Sequence, residues 1–184
     1  MIAFIFDTET TGLVKNSLVP LQHQPRIIEF CGFLVDDSLG YEPEEAVIDE
    51  VEFLCNPGVP IDPVITRITG IKPEDVEGKA MFSEYADQVL EKIGAADAAV
   101  AHNLSFDMAL VEADLLRCSA DAFLWPHRLF CTVEQTEWIK GHRLSLGALH
   151  EELFGEPFKG AHRARTDVMA LTKCYLELRK RGDL

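Results

Sequence analysis

Apolar and polar positions along this 184-residue chain fall into two rhythms, one of period two and one of helical spacing. Residues 2–6 form an unbroken apolar run that reads as a buried strand, and residues 26–36 and 46–55 read as two more. The last of these sets Val47, Asp49, Val51 and Phe53 at the two-residue period, and turn residues around Gly40 make the pair a hairpin. In "IDPVITRITGIKPEDVEG", Asp62 is placed to cap a helix with Pro63 at its first position, and Pro73 opens a second short turn. Phe82, Tyr85, Ala86, Val89, Leu90 and Ile93 predict an amphipathic helix over 83–94, and "DAAVAH" predicts a short strand after it. Helical spacing returns over 105–118. "TVEQ" at Thr132 has the form of a capping box. Leu146, Leu149, Leu153 and Phe154 mark a helix ended by Gly155, and Val168, Leu171, Tyr175 and Leu178 mark a last one closing in "RKRG". Strands first and alternation later predict an α/β fold with a mixed sheet and helices on both faces. No Gly-, Pro- or Ser-rich linker divides the chain, so residues 1–184 are expected to form a single domain.

The hydrophobic share of 47% suits a domain of this size with a proper core. The longest apolar runs fall far short of the ~18 residues that cross a bilayer. The start of the chain has no basic segment, sustained apolar stretch or small-residue cleavage site. The expectation is a soluble, unexported, cytoplasmic protein with no membrane partner. Its five cysteines are odd in number, widely spaced and without a C-x-x-C pair, which predicts buried thiols in a reducing compartment.

A formal charge of -14 argues against broad polyanion binding, so any nucleic-acid partner must be held locally. The charge is uneven. Residues 36–56 carry eight acids and no Lys or Arg, expected to be a solvated hairpin and loop, whereas residues 140–165 carry five bases against three acids.

Chemistry concentrates where the first strand ends. Asp7 and Glu9, two residues apart, lean to the same face of a strand, and two such anions repel unless something positive sits between them. Sites in α/β folds form beyond the carboxyl ends of strands. Asp107, in "AHNLSFD", lies just past the "DAAVAH" strand, and Asp167, in "HRARTD", begins the final helix. If that helix packs beside the first strand, the four carboxylates meet. Such a cluster favours hard, oxygen-loving cations, magnesium or manganese, and two of them 3.5 to 4 Å apart are suited to phosphoryl displacement. His162 falls on the loop entering the last helix, where a neutral imidazole can take a proton from water. His102, His127, His142 and His150 are expected to be ordinary surface histidines.

The D-x-E pair of Asp7 and Glu9, Asp107 in "HNLSFD" and the H-x-x-x-x-D of His162 and Asp167 together resemble the histidine-bearing subclass of the DEDD exonuclease superfamily. That group includes the proofreading subunit of bacterial replicative polymerase and ribonuclease T. "FDTETTGL" and the "ITGI" at Ile68 to Ile71 also look like family segments. The resemblance implies a ribonuclease H-like fold with a mixed central sheet of about five strands. It implies two divalent cations, Mg2+ or Mn2+, and 3′-to-5′ release of nucleoside 5′-monophosphates from a single-stranded or frayed nucleic acid 3′ end. By the same likeness Asp7, Glu9, Asp107 and Asp167 hold metal and His162 is the general base. The Thr10 backbone, Leu13, Asn103 and Phe106 match positions that hold the terminal nucleotide.

The chain stops at Leu184, soon after the last predicted helix, without a segment like the polymerase-binding tail of the proofreading subunit. A free-standing exonuclease, or one docking on a protein partner through its surface, is therefore expected. Three other readings compete. One is an exoribonuclease of the same fold, and another a non-catalytic module that binds nucleic acid or protein. The third is a haloacid dehalogenase-like phosphatase, suggested by Asp7, Glu9 and Thr11 but lacking a second Asp motif downstream.

Overall fold

The first strand outruns the apolar run that predicts it. In the computed structural model, which describes residues 1–16, 18–118 and 122–184, β1 spans Ile2–Thr10. Antiparallel pairing with β2 (Ile27–Asp36) continues from Ile2↔Asp36 to Thr10↔Ile27, and this carries the strand through Asp7 and Glu9 instead of ending before them. A register shift between Glu9 and Thr10 places a bulge at the far end, a common device beside functional sites. β3 (Val47–Leu54) completes the expected hairpin after a one-turn helix, α1 (Pro43–Ala46).

Asp62 caps α2 (Pro63–Thr69) through a 2.7 Å bond from the Val64 N–H, and Pro73 opens α3 (Pro73–Val76), both as the sequence predicts. The amphipathic stretch at 83–94 divides into a 3₁₀ turn at Phe82–Glu84 and α4 (Ala86–Ala95). Tyr85 separates them and stacks on Phe53 at 4.0 Å. β4 (Ala98–Ala101) then runs parallel to β1, and α5 (Leu104–Arg117) follows. The fifth strand, β5 (Arg128–Cys131), carries no two-residue alternation and sits at the sheet edge, so the pattern of the chain does not announce it.

The capping box expected at Thr132 does not form. Thr132 is the first residue of α6 (Thr132–Gln135), and its hydroxyl bonds the His102 ring at 2.9 Å instead of a backbone N–H. α7 (Glu137–Lys140) follows, then α8 (Leu146–Phe154), ended as expected by Gly155, and finally α9 (Ala164–Arg181). Among the described residues no helix is long and apolar enough to cross a membrane. Cys31, Cys55 and Cys174 are buried free thiols, and Cys118 and Cys131 are half-buried ones.

The sheet order is β3-β2-β1-β4-β5, with β1 central and antiparallel to β2 but parallel to β4. Alternation along β1 sends Phe4 and Phe6 toward α4 and α5, and Ala3 and Ile5 toward α9. The helices thus cover both faces, as predicted. On the α5 side the rings of Phe4, Phe6, Phe30 and Phe53 lie in a row 5.1 to 6.3 Å apart, a strong apolar seam across three strands. Gly32 makes room for it, because a Cβ there would lie 2.5 Å from Phe4 Cε2.

The acidic stretch at 36–56 is less idle than its composition suggests. Arg165 of α9 reaches Glu52 at 2.6 Å and Glu50 at 3.0 Å on β3, and Lys92 of α4 reaches Asp49 at 2.6 Å. The exposed Arg165 pairs contribute little each, whereas Lys92 is buried, and both residues orient their helices against the outer strand.

Because Phe4 is fully buried and stacked, it cannot swing aside for a methyl group. Gly32→Ala is expected to lower unfolding free energy by about 1 to 3 kcal/mol, seen as a lower urea midpoint at unchanged slope.

Candidate active site

The parallel pairing of β1 with β4 extends only from Ala3↔Ala98 to Ile5↔Val100, so the last residues of β1 project past the end of β4. That overhang leaves main-chain donors free on one edge. The Thr8 N–H donates to Asp107 Oδ1 at 3.1 Å and the Thr8 hydroxyl to the same oxygen at 2.7 Å, across 99 residues of sequence. Asp107 is in the first turn of α5 and almost fully buried. The turn that brings it there uses Asn103 in the left-handed conformation, at φ 79°.

Asp7 and Glu9 continue the Ala3 and Ile5 face, toward α9. Asp167, in the first turn of α9, is buried and accepts the His162 N–H at 2.8 Å. Glu9, His162 and Asp167 each offer a ligand atom within 4.8 Å of the others, a group that could hold a metal ion. The structure therefore brings together Asp7, Glu9, Asp107, His162 and Asp167 at the overhang. His162 is exposed on the loop before α9, as the sequence predicts, and has φ 69°. Among the described residues, Asn103 and His162 are the non-glycine residues with positive φ, and both lie at this site.

The carboxyls are held far from their ordinary state. Burial raises Asp7 well above the usual range, and the charges of Asp107, Asp167, Glu9 and Glu29 raise it further. Burial and then Asp167 push Glu9 up to about 8. Asp107 is raised by burial against the opposing effect of the two Thr8 bonds. Asp167 is also raised by burial, in part offset by the His162 N–H. A cation among these oxygens would relieve their mutual repulsion. Its oxygens and one imidazole fit a hard divalent ion such as magnesium or manganese, and the thiol opposite Asp7, Cys31, is kept protonated by burial.

The remaining expected residues surround this centre unequally. Thr10 is buried, and its hydroxyl closes a turn by donating to the Gly12 carbonyl at 2.7 Å. Leu13, just beyond that turn, is 80% exposed. Asn103 is exposed and, among the described residues, its side chain makes no capping bond, whereas Phe106 is half-buried against the aromatic seam.

Two histidines are not the surface residues expected. His102 is half-buried, its Nε2–H donating to the Leu144 carbonyl at 3.1 Å while Nδ1 accepts from Thr132, and burial lowers its pKa to about 4. His150 is buried against Phe154 and Phe158. His127 and His142 are exposed. Sequence reasoning also passed over Glu29, a buried carboxylate directly opposite Glu9 on β2. The signal was a lone acid inside the apolar "IIEFCGF".

Residues 4–175 match the RNase T family model, described as an exonuclease. A PolC-type DNA polymerase III from Caldanaerobacter subterraneus is 25% identical over 178 residues, covering 95% of this chain but only 11% of the polymerase. The DNA polymerase III epsilon subunit of Pasteurella multocida is 30% identical over 184 residues, covering 95% of this chain and 66% of the subunit. Among solved structures, exonuclease X in complex with 5′ overhanging duplex DNA superposes with a TM-score of 0.65 at 21% identity, over 98% of this chain and 93% of that one. That likeness establishes the shared fold, the ribonuclease H-like mixed sheet of five strands.

A carboxyl raised in the folded state favours folding while it is protonated. For Glu9 this contribution is complete below the usual value of 4.5 and is lost as pH rises through about 8. In chelator the melting temperature should fall between pH 5 and pH 8, and added Mg2+ or Mn2+ should raise it more at pH 8 than at pH 5. Calorimetry showing an equal metal effect at both pH values would separate metal binding from these carboxyls.

Proposed function

As the chain belongs to the RNase T family of exonucleases, we propose that it is a 3′-to-5′ exonuclease acting on single-stranded or frayed DNA ends and releasing nucleoside 5′-monophosphates. Residues 1–184 act as one exonuclease domain in this reading. The observation that carries it is the meeting of Glu9, His162 and Asp167 within 4.8 Å at the overhang of β1, beside Asp7 and Asp107. The names of the relatives, a DNA polymerase and a polymerase subunit, and the DNA bound to exonuclease X favour DNA as the substrate.

Asp7, Glu9, Asp107 and Asp167 are the residues that would hold two divalent cations. Bound there, such ions stabilise charge on the attacking and leaving oxygens of a phosphoryl displacement. His162, exposed on its loop, accepts the proton of the attacking water. The water oxygen bonds to phosphorus, the bond from phosphorus to the 3′ oxygen of the preceding nucleotide breaks, and that oxygen takes a proton from solvent as the terminal monophosphate is released. The Thr10 main chain, Leu13, Asn103 and Phe106 hold the terminal nucleotide. Leu13 is exposed, so an unpaired base packed on it gains contact that water does not give. Stacking of a base on an aromatic ring, here that of Phe106, is worth about 1 to 3 kcal/mol. A paired end must first be unstacked at a cost of a few kcal/mol. A chain of charge -14 has little general phosphate attraction to offset that cost.

Asp7→Ala or Asp167→Ala should lose at least ~10²-fold in rate with magnesium, and His162→Ala about 10²- to 10⁴-fold together with the rising limb of its pH profile. Near-normal turnover of Asp7→Ala would sink the assignment.

End-labelled DNA tests direction and strand state. Single strands should be shortened from the 3′ end faster than blunt duplexes, and Leu13→Ala should lose more on paired than on unpaired ends. Shortening from a 5′ label, equal rates on both substrates, or faster cleavage of a matched RNA strand would each count against the reading.

A further inference from the structure

Glu29 is 2% exposed in a strand otherwise apolar up to its last residue, Asp36, and its position on β2 is directly opposite Glu9. Two carboxylates facing across an antiparallel pair are destabilising, and a buried one is costly unless fully paired. Its partner comes from the far end of the chain. Arg163 Nη2 donates to Oε1 at 2.6 Å, and Nε donates to Oε1 at 3.0 Å and to Oε2 at 3.2 Å. This is the two-pronged geometry that Arg provides and Lys cannot. The Ala164 N–H adds a fourth bond to Oε2 at 2.9 Å, so a strand residue 135 positions earlier satisfies the first orphan donor of α9.

The two residues fixed in this way directly follow His162. His162 itself has φ 69°, a conformation that a non-glycine residue keeps only where its surroundings enforce it. One restraint is its own N–H bond to Asp167, and the other is the grip of Glu29 on Arg163 and Ala164. The Arg163 side chain is 52% exposed while that of Glu29 is 3% exposed. A pair built so unequally adds little net stability, and what it does supply is a fixed geometry.

We infer that Glu29 and Arg163 form a clasp that positions His162, holding its loop so that the imidazole faces Glu9 and Asp167 while neither clasp residue takes part in bond making or breaking. The inference rests on the reading of His162 as the proton acceptor and names what that residue depends on. A misplacement of about 1 Å in such a group can cost on the order of 10²-fold in rate without weakening substrate binding.

The test compares Glu29→Gln, Arg163→Gln, the double variant and Arg163→Lys with His162→Ala on a 3′-labelled single strand. Glu29→Gln and Arg163→Gln should each lower kcat about tenfold or more with KM within about twofold, and the double variant should fall no further than the worse single one. Arg163→Lys, which keeps the charge beside Glu29 and protects the fold, should recover only part of kcat. A second readout needs no turnover: hydrogen exchange at the His162 amide should quicken about tenfold or more in Glu29→Gln. Wild-type kcat in Glu29→Gln or in Arg163→Lys, losses confined to KM, multiplying effects in the double variant, or unchanged amide exchange would each overturn the clasp. If His162→Ala is impaired while Glu29→Gln is not, the clasp fails and the reading of His162 stands. If His162→Ala retains full activity, that reading fails first.

Discussion

Repulsion between carboxylates gathered at the end of β1 is the constraint that the rest of the molecule answers to. Asp7 feels Asp107, Asp167, Glu9 and Glu29, all in surroundings that disfavour charge. Several separate elements restrain them. Asp7 and Glu9 are fixed by strand pairing, Asp107 by the two Thr8 donors, Asp167 by the His162 amide and Glu29 by Arg163. Asp107 and Asp167 also lie in the first turns of helices, where the macrodipole favours negative charge. Arg163 offsets the charge of Glu29, whereas burial favours the protonated form of Asp7 and Glu9, and a divalent cation would take the place of those protons.

Much of this was legible in the sequence because the informative spacings are local. Asp7 and Glu9 share a face on any strand, and Pro63 after Asp62 starts a helix in almost any context. The "HNLSFD" and "HRARTD" segments place Asp107 and Asp167 near helix starts without tertiary knowledge. What stayed hidden depends on partners far along the chain. β1 extends past Phe6 because β2 continues beside it, and Thr132 gives up its cap because His102 is within reach. His102 and His150 look like surface residues until their neighbours are in place. Glu29 could be noticed as an anomaly, but its role requires Arg163, which nothing in "IIEFCGF" suggests.

The electrostatics of the whole chain point the same way as the site. A field set by a charge of -14 concentrates divalent cations around the protein and resists polyanions. Arg165 and Lys92, which could have formed a basic surface, are engaged with Glu50, Glu52 and Asp49. On the proposed reading a nucleic acid strand would be held at its terminus, beside the exposed Leu13, and not along its length.

The bond from Ala164 to Glu29 also constrains how the molecule can be made. β1, the sheet and α5, which carry Asp7, Glu9 and Asp107, all precede α9 in the chain. Until α9 docks, Glu29 has no guanidinium and no helix amide to face, and it lies directly opposite Glu9. The α9 face of the sheet, with Ile5 and Phe33, is bare as well. Closure over 135 residues thus ties the acidic end of β1 to α9, so that the carboxylate cluster is complete only when the helix carrying Asp167 is packed in place.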